Sequence, residues 1–116
     1  MENSVCFIGY DKIKDLSFLI IKLRYLIKDL KKLDINTVIF VGKTEFCDLC
    51  RVLINDMKDI FPQLNIKNSN DKDIEKIINN CNICICYYRK GKICNEKTEE
   101  AFKYSVKNKK ITVAVF

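Results

Sequence analysis

Short apolar runs, each the length of a buried β-strand, alternate along the chain with longer segments of helical periodicity. The predicted strands cover residues 4–8, 37–41, 64–67, 83–88 and 111–116. The predicted helices cover 12–33, 44–60, a short segment at 74–78, and 96–108. Regular alternation of the two patterns is typical of α/β proteins, in which right-handed crossovers place helices on both faces of a parallel sheet. We therefore expect a three-layer, Rossmann-like α/β sandwich with a five-stranded, mostly parallel sheet.

The length of the chain fits one such sandwich. The sequence has 116 residues and no linker or internal repeat, so we expect a single domain over residues 1–116. It has no histidine, which excludes a Ser-His-Asp triad and any histidine-based metal site. The 3 glycines and 1 proline are too few for a β-barrel or β-sandwich rich in tight turns.

Seven cysteines raise the question of disulfides and metals. They are Cys6, Cys47, Cys50, Cys81, Cys84, Cys86 and Cys94. An odd number of cysteines without an apolar leader predicts reduced thiols in the cytoplasm. The two Cys-x-x-Cys pairs are separated by about 30 residues, outside the usual zinc-ribbon spacing. We expect no metal and no cofactor, and we expect the cysteines to act as small apolar residues.

The basic charge is distributed along the sequence. There are 21 basic and 15 acidic residues, a net charge of +6, and the lysines do not form one block. Such a distribution is typical of solvated surface lysines, so a nucleic-acid partner is an alternative rather than the favoured interpretation. Lys22, Arg24 and Lys28 interrupt the most apolar helix, so we predict no membrane span and expect no membrane partner.

Ligands of parallel α/β sheets bind at the carboxyl ends of the strands. Four segments are expected at that edge, and they supply the candidate ligand-binding residues. These are Gly9, Tyr10, Gly42, Lys43, Thr44, Glu45, Tyr88, Arg89, Lys97 and Thr98. Gly9 and Gly42 each end a strand, either to let a ligand approach the backbone or to let the chain turn. A P-loop is excluded because the glycine required upstream of Gly42 is missing.

Local patterns give three further expectations. Thr44 is predicted to cap the second helix. Residues 68–71 are predicted to form a turn and to cap the third helix. Tyr87 and Tyr88 are predicted to point to opposite faces of the sheet, one into the core and the other free to stack on a ring.

The segments Val5-Cys6-Phe7-Ile8-Gly9-Tyr10-Asp11 and Phe40-Val41-Gly42-Lys43-Thr44-Glu45 carry a family resemblance. Together with the strand that ends at Tyr87-Tyr88 and the helix that begins near Lys97-Thr98, they resemble the SLOG superfamily of Rossmann-like domains. The similarity is greatest to short SLOG proteins of unknown function from Clostridia and their phages.

The resemblance implies a nucleotide-related pocket at the glycine-ended strands and at the start of the last helix. The chain has Gly9-Tyr10-Asp11 where the family usually has Gly-His-Arg, and Lys97-Thr98 where it has Gly-Thr. The glycine-rich and glutamate motifs of the phosphoribohydrolase members are absent, so catalysis by that route is not expected.

Two alternatives accompany the leading hypothesis of a non-catalytic domain that binds a nucleotide or a nucleotide-derived signal. One is a hydrolase of N-glycosidic bonds, with Glu45 or Asp48 as the catalytic carboxylate. The other is a binder of single-stranded DNA that uses the distributed lysines. A homodimer or a higher homo-oligomer is compatible with these hypotheses, since a sheet of this size leaves edges and helix faces to cover, and the sequence does not choose a stoichiometry.

Overall fold

In the part of the chain that the structure describes, five parallel strands form a central sheet and four helices cover it. The computed structural model describes residues 3–57, 59, 64–70, 72–89 and 94–115. The elements are β1 (Ser4–Ile8), α1 (Leu16–Lys32), β2 (Thr37–Val41), α2 (Glu45–Asp56), β3 (Asn65–Ser69), α3 (Ile74–Asn79), β4 (Ile83–Cys86), α4 (Glu96–Lys107) and β5 (Ile111–Ala114). The predicted α/β sandwich with a five-stranded parallel sheet is therefore confirmed.

The strands lie in the order β3-β2-β1-β4-β5. β1 is the central strand, with Phe7 opposite Phe40 of β2 on one side and opposite Ile85 of β4 on the other. All five residues of β1 and all four of β4 are buried, as expected for parallel strands covered on both faces. β3 is an exposed, polar edge strand.

Two apolar clusters, one on each face of the sheet, make up the core. On one face α1 and α2 pack through Leu19, Leu23 and Phe46 onto Phe7 and Phe40. On the other face α3 and α4 pack through residues such as Ile78 and Ala101. Alternate residues of a strand point to opposite faces, which is why β1 contributes Phe7 to the first cluster and Cys6 and Ile8 to the second.

Contacts with distant residues explain two of the errors in the predicted element boundaries. The first helix was expected from residue 12, but α1 begins at Leu16 because Asp15 has the left-handed backbone angles φ 56° and ψ 58°. The preceding amides are bound elsewhere: Ile13 N–H donates to a Glu45 carboxylate oxygen at 3.1 Å, and Lys14 N–H donates to the Tyr87 hydroxyl at 2.9 Å. Ile13 still packs against the core, which explains why the apolar periodicity extends beyond the helix.

The second error concerns the end of β3. The prediction ended this strand at Lys67 and placed Asn68 and Ser69 in a turn, but both residues pair with β2, Asn68 with Phe40 and Ser69 with Val41. Backbone pairing with an existing strand outweighs the weak strand propensity of asparagine and serine. The cap of α3 is Asp73, whose side chain makes no capping hydrogen bond. Residue 71, part of the predicted cap, lies outside the described residues.

The remaining boundaries differ by a few residues. Thr44 caps α2 as predicted, and α2 ends at Asp56, while residues 58 and 60–63, which include the predicted end of this helix, lie outside the described part of the chain. The ladders of β4 and β5 end at Cys86 and Ala114, short of the predicted residues 88 and 116, and residue 116 is not described. No helix among the described residues is long and apolar enough to cross a membrane.

Four of the cysteines form an array between the sheet and the layer of α3 and α4. Cys6, Cys81, Cys84 and Cys86 are all buried, and the sulfur atoms of Cys84 and Cys86 are 3.5 Å apart. Hydrogen bonds to Cys81 and Cys84, together with burial, raise the pKa of Cys6 well above its ordinary value. All seven cysteines are free thiols, and within the described residues no group of three or more His, Cys, Asp or Glu side chains is placed to hold a metal ion.

Candidate functional site

A pocket of about 490 Å³ opens at the carboxyl ends of β1, β2 and β3. It is lined by Tyr10, Gly42, Lys43, Thr44, Asn68, Ser69 and Asn70. Four of these residues, Tyr10 and the run from Gly42 to Thr44, were predicted from the sequence. We call this cavity the β2 pocket, because the turn that follows β2 forms its floor.

Gly42 shapes the floor of the β2 pocket. Its φ of +77° is a conformation that residues with side chains rarely adopt, and a Cβ atom added there would lie 3.1 Å from the Tyr10 hydroxyl oxygen. Its amide donates to the carbonyl oxygen of Ser69 at 2.8 Å, which fixes the turn against the end of β3. Glycine at position 42 therefore serves both the turn and the open space beside Tyr10.

Thr44 presents a hydrogen-bond donor to the pocket. Its hydroxyl oxygen accepts the amide hydrogen of Cys47 at 3.2 Å, which caps α2. Because a hydroxyl that accepts still has its own hydrogen to donate, Thr44 can serve as the helix cap and donate to a ligand at the same time. Lys43, next to it, is exposed and makes no ion pair within the described part of the chain.

Two asparagines add further donors at the end of β3. The side-chain oxygen of Asn68 accepts a hydrogen bond from Arg51, which is itself paired with Asp48 at 2.9 Å. The side-chain oxygen of Asn70 accepts the amide hydrogen of Lys72 at 3.1 Å. With both amide oxygens occupied, each asparagine has its NH₂ group left to offer a ligand.

The lining of the β2 pocket is positively charged and rich in hydrogen-bond donors. Its lining has one cation and no carboxylate among the described residues, and the polar groups that remain available are mainly donors. Glu45 and Asp48 lie in the first turn of α2, but Glu45 accepts the Ile13 amide and Asp48 pairs with Arg51. The pocket is therefore suited to an acceptor-rich, anionic group.

Gly9 lies at the same edge of the sheet but is enclosed. A Cβ atom at Gly9 would lie 2.7 Å from Cβ of Tyr87 and 2.8 Å from the ring of Phe46, so the missing side chain makes room for these two neighbours. The sequence offered two interpretations of Gly9, a close contact with a ligand or a turn of the chain. The structure instead shows that Gly9 makes room for packing between neighbouring side chains. Beside it, the amide of Asn95 donates to the Asp11 carboxylate at 2.9 Å, so a hydrogen bond joins the segment after β1 to the residue before α4.

The start of α4 contacts β1 through Tyr10. The Tyr10 amide donates to the hydroxyl oxygen of Thr98 at 3.1 Å, and Lys97 Nζ lies 5.2 Å from the centre of the Tyr10 ring. Lys97 lines a second cavity, of about 570 Å³, between α3 and α4. Lys97 and Thr98 therefore contact Tyr10, which lines the β2 pocket, but do not line that pocket themselves.

Tyr88 and Arg89 lie away from the pocket. The Tyr88 ring stacks on Phe102 of α4, with 4.2 Å between ring centres, and the Arg89 amide donates to the sulfur of Cys94 at 3.2 Å. Tyr87 packs on the opposite face of the sheet against Phe46. The prediction that the two tyrosines point to opposite faces is confirmed, and the ring that Tyr88 stacks on belongs to the protein itself.

Asn68, Ser69 and Asn70 line the pocket but were missed as site residues. The rule that selected the other candidates, position at the carboxyl end of a strand, applies to them as well. It failed because the predicted third strand ended two residues early. The signal that could have identified these three residues is a run of polar residues directly after a weakly predicted strand.

Comparison with known protein families, curated proteins and solved structures finds no match for this chain. The resemblance to the SLOG superfamily therefore remains a prediction from sequence motifs.

Proposed function

We propose that this protein binds a nucleotide or a nucleotide-derived small molecule through a phosphate group in the β2 pocket. The observation that carries the proposal is the set of donors around that pocket. Lys43 supplies the positive charge, and the Thr44 hydroxyl can donate from the start of α2. Asn68 and Asn70 also line the pocket, each with its side-chain oxygen hydrogen-bonded within the protein. Charge-assisted hydrogen bonds of this kind are the ones that proteins use to hold phosphate oxygens.

The volume of the pocket supports a small ligand. About 490 Å³ falls within the range of cavities that accept small molecules. One lysine in the lining favours a ligand with a single phosphate at this position rather than a polyphosphate chain. Because neither Glu45 nor Asp48 lines the pocket, the geometry favours binding over hydrolysis of an N-glycosidic bond.

The test is a thermal shift assay with nucleoside monophosphates, cyclic nucleotides, unphosphorylated nucleosides and inorganic phosphate. A ligand that binds only the folded protein raises the melting temperature in proportion to the logarithm of its concentration. We expect a shift with one or more phosphorylated compounds and a smaller shift or none with the matching nucleoside. Absence of any shift across the panel contradicts the proposal.

Two variants locate the site. Lys43→Gln removes the exposed cation of the pocket and is expected to weaken binding at least about tenfold, because a hydrogen bond to a charged group is worth about 1.5–3 kcal/mol. Lys107→Gln removes a lysine from the last turn of α4, away from the pocket, and serves as the control. Equal loss of affinity in both variants would mean that only the overall charge matters.

A further inference from the structure

The outward face of α1 carries three large apolar side chains that the core does not use. Phe18, Ile21 and Tyr25 are 45%, 56% and 68% exposed. Their spacing of three and four residues places them on one face of the helix. The buried residues of α1 are Leu19, Leu23, Ile27 and Leu30, on the opposite side, so packing within the domain does not account for the exposed stripe.

Basic residues surround this stripe. Within α1, Lys22, Arg24, Lys28, Lys31 and Lys32 are opposed by a single acid, Asp29, and that acid lies 3.8 Å from Lys32. Lys22 Nζ is 5.1 Å from the centre of the Phe18 ring. Two copies of this helix placed face to face would bring five cations against five, so the charge disfavours a second copy of the chain and favours an anionic partner.

The order of residues along this face distinguishes a lipid surface from a helical protein as the partner. After Phe18, Ile21 and Tyr25, the same face continues with Lys28 and Lys32. A partner helix packed along this face would meet apolar residues for two turns and then lysines, which breaks the heptad pattern that such pairing needs. At a lipid surface, by contrast, lysine stems extend along the interface and reach the headgroups.

We propose that α1 binds the surface of an anionic phospholipid bilayer. Phe18, Ile21 and Tyr25 enter the headgroup region, where aromatic side chains are favoured, and the flanking lysines and Arg24 lie next to lipid phosphates. Glu45 and Asp48 are exposed at the start of α2, on the same side of the sheet, so the contact is confined to α1. Such a contact departs from the expectation of no membrane partner, which was based on the missing span alone.

The test is co-sedimentation of the full chain with phosphatidylcholine vesicles that either contain or lack one third phosphatidylglycerol. We expect the protein to sediment with the anionic vesicles, to stay in solution with the neutral ones, and to be released by added salt. Failure to bind the anionic vesicles, or equal binding to both kinds, overturns the proposal.

Variants of exposed residues assign the surface without disturbing the fold. Phe18→Ser with Ile21→Ser is expected to lower vesicle binding about tenfold or more, and Lys28→Gln with Lys32→Gln by about fivefold for each lysine. The controls are Val52→Ser, a residue of α2 that is 57% exposed, and Lys103→Gln with Lys107→Gln on α4, which covers the other face of the sheet. Unchanged vesicle binding in the α1 variants overturns the proposal, as does a dimer in analytical ultracentrifugation that these variants dissociate.

Discussion

The Tyr10 amide donates a 3.1 Å hydrogen bond to the hydroxyl of Thr98, which joins the end of the central strand to the first turn of α4. Thr98 is fully buried, although it is a polar residue near the start of a helix. The bond crosses 88 positions of sequence and holds the backbone of Tyr10, whose ring forms one wall of the β2 pocket. A residue outside the pocket therefore positions one that lines it.

Thr98→Val tests this bond. Valine has nearly the same shape but removes the acceptor of the Tyr10 amide, so we expect the free energy of unfolding in urea to fall by about 1–3 kcal/mol. Thr98→Ser keeps the hydroxyl and is expected to lose about 1 kcal/mol, the contribution of one methyl group. A valine variant that loses less than about 1 kcal/mol would show that the hydrogen bond contributes little.

Gly9→Ala tests the enclosure of the first glycine. The added methyl group would lie under 3 Å from Cβ of Tyr87 and from the ring of Phe46, so both buried neighbours must shift, at a cost of about 1–3 kcal/mol in the free energy of unfolding. Ser17→Ala, at an exposed position in the first turn of α1, is the control and should change stability by less than about 0.5 kcal/mol. If Gly9→Ala is as stable as the control, the close packing around Gly9 is not correct.

Buried thiols whose pKa is raised, such as that of Cys50, predict a loss of stability in alkali. Burial, with a smaller contribution from Cys47, raises the pKa of Cys50 well above 9.0, so in the folded protein this thiol keeps its proton at a pH where the unfolded chain has lost it. The contribution of the Cys50 thiol to the free energy of unfolding is therefore fully present below about pH 9 and decreases as the pH rises towards the folded pKa. Above about pH 9 each such group lowers the free energy of unfolding by up to about 1.4 kcal/mol per pH unit.

Cys50→Ala isolates this contribution. The variant loses some stability at every pH, because the alanine leaves a small cavity, but its stability should fall less steeply between about pH 8 and pH 10 than that of the wild type. Urea unfolding in the presence of a reducing agent measures both slopes. Identical slopes would show that Cys50 ionises in the folded protein as it does in the unfolded chain.

Thiol reactivity reports on the layer of α3 and α4. Cys94 is partly exposed, whereas the other six cysteines are buried, so an aromatic disulfide reagent should modify one thiol in the folded protein and all seven in denaturant. Cys94→Ser should remove the fast reaction. Rapid modification of Cys84 or Cys86, identified by mass spectrometry, would instead mean that this layer opens readily in the native state.

Much of the fold could be predicted because the relevant signals are local. Apolar runs such as Thr37–Val41 and the four- and three-residue spacing of Leu23, Ile27 and Leu30 report directly on strand and helix. The predictions failed where a distant residue decided the local structure. Glu45 and Tyr87 bind the amides of Ile13 and Lys14, and β2 extends β3 to Ser69.

The candidate site was predicted in part for the same reason. Position after a strand identified Tyr10, Gly42, Lys43 and Thr44, all of which line the β2 pocket. The same rule also selected Gly9, which is enclosed, and Tyr88, which stacks on Phe102. Proximity to the carboxyl edge of a sheet is a property of the strands, whereas accessibility depends on the side chains that neighbouring elements place there.

The amino-acid sequence by itself determined the alternation of strands and helices, the two buried helix stripes and the threonine cap of α2, because these depend on the spacing of residues close together in the chain. Only the tertiary structure decided that the opening lies beside Gly42 and not beside Gly9, and that Phe18, Ile21 and Tyr25 remain uncovered. Whether space is filled or left open depends on packing between residues distant in sequence, here Phe46 and Tyr87 around Gly9, and no local pattern encodes it.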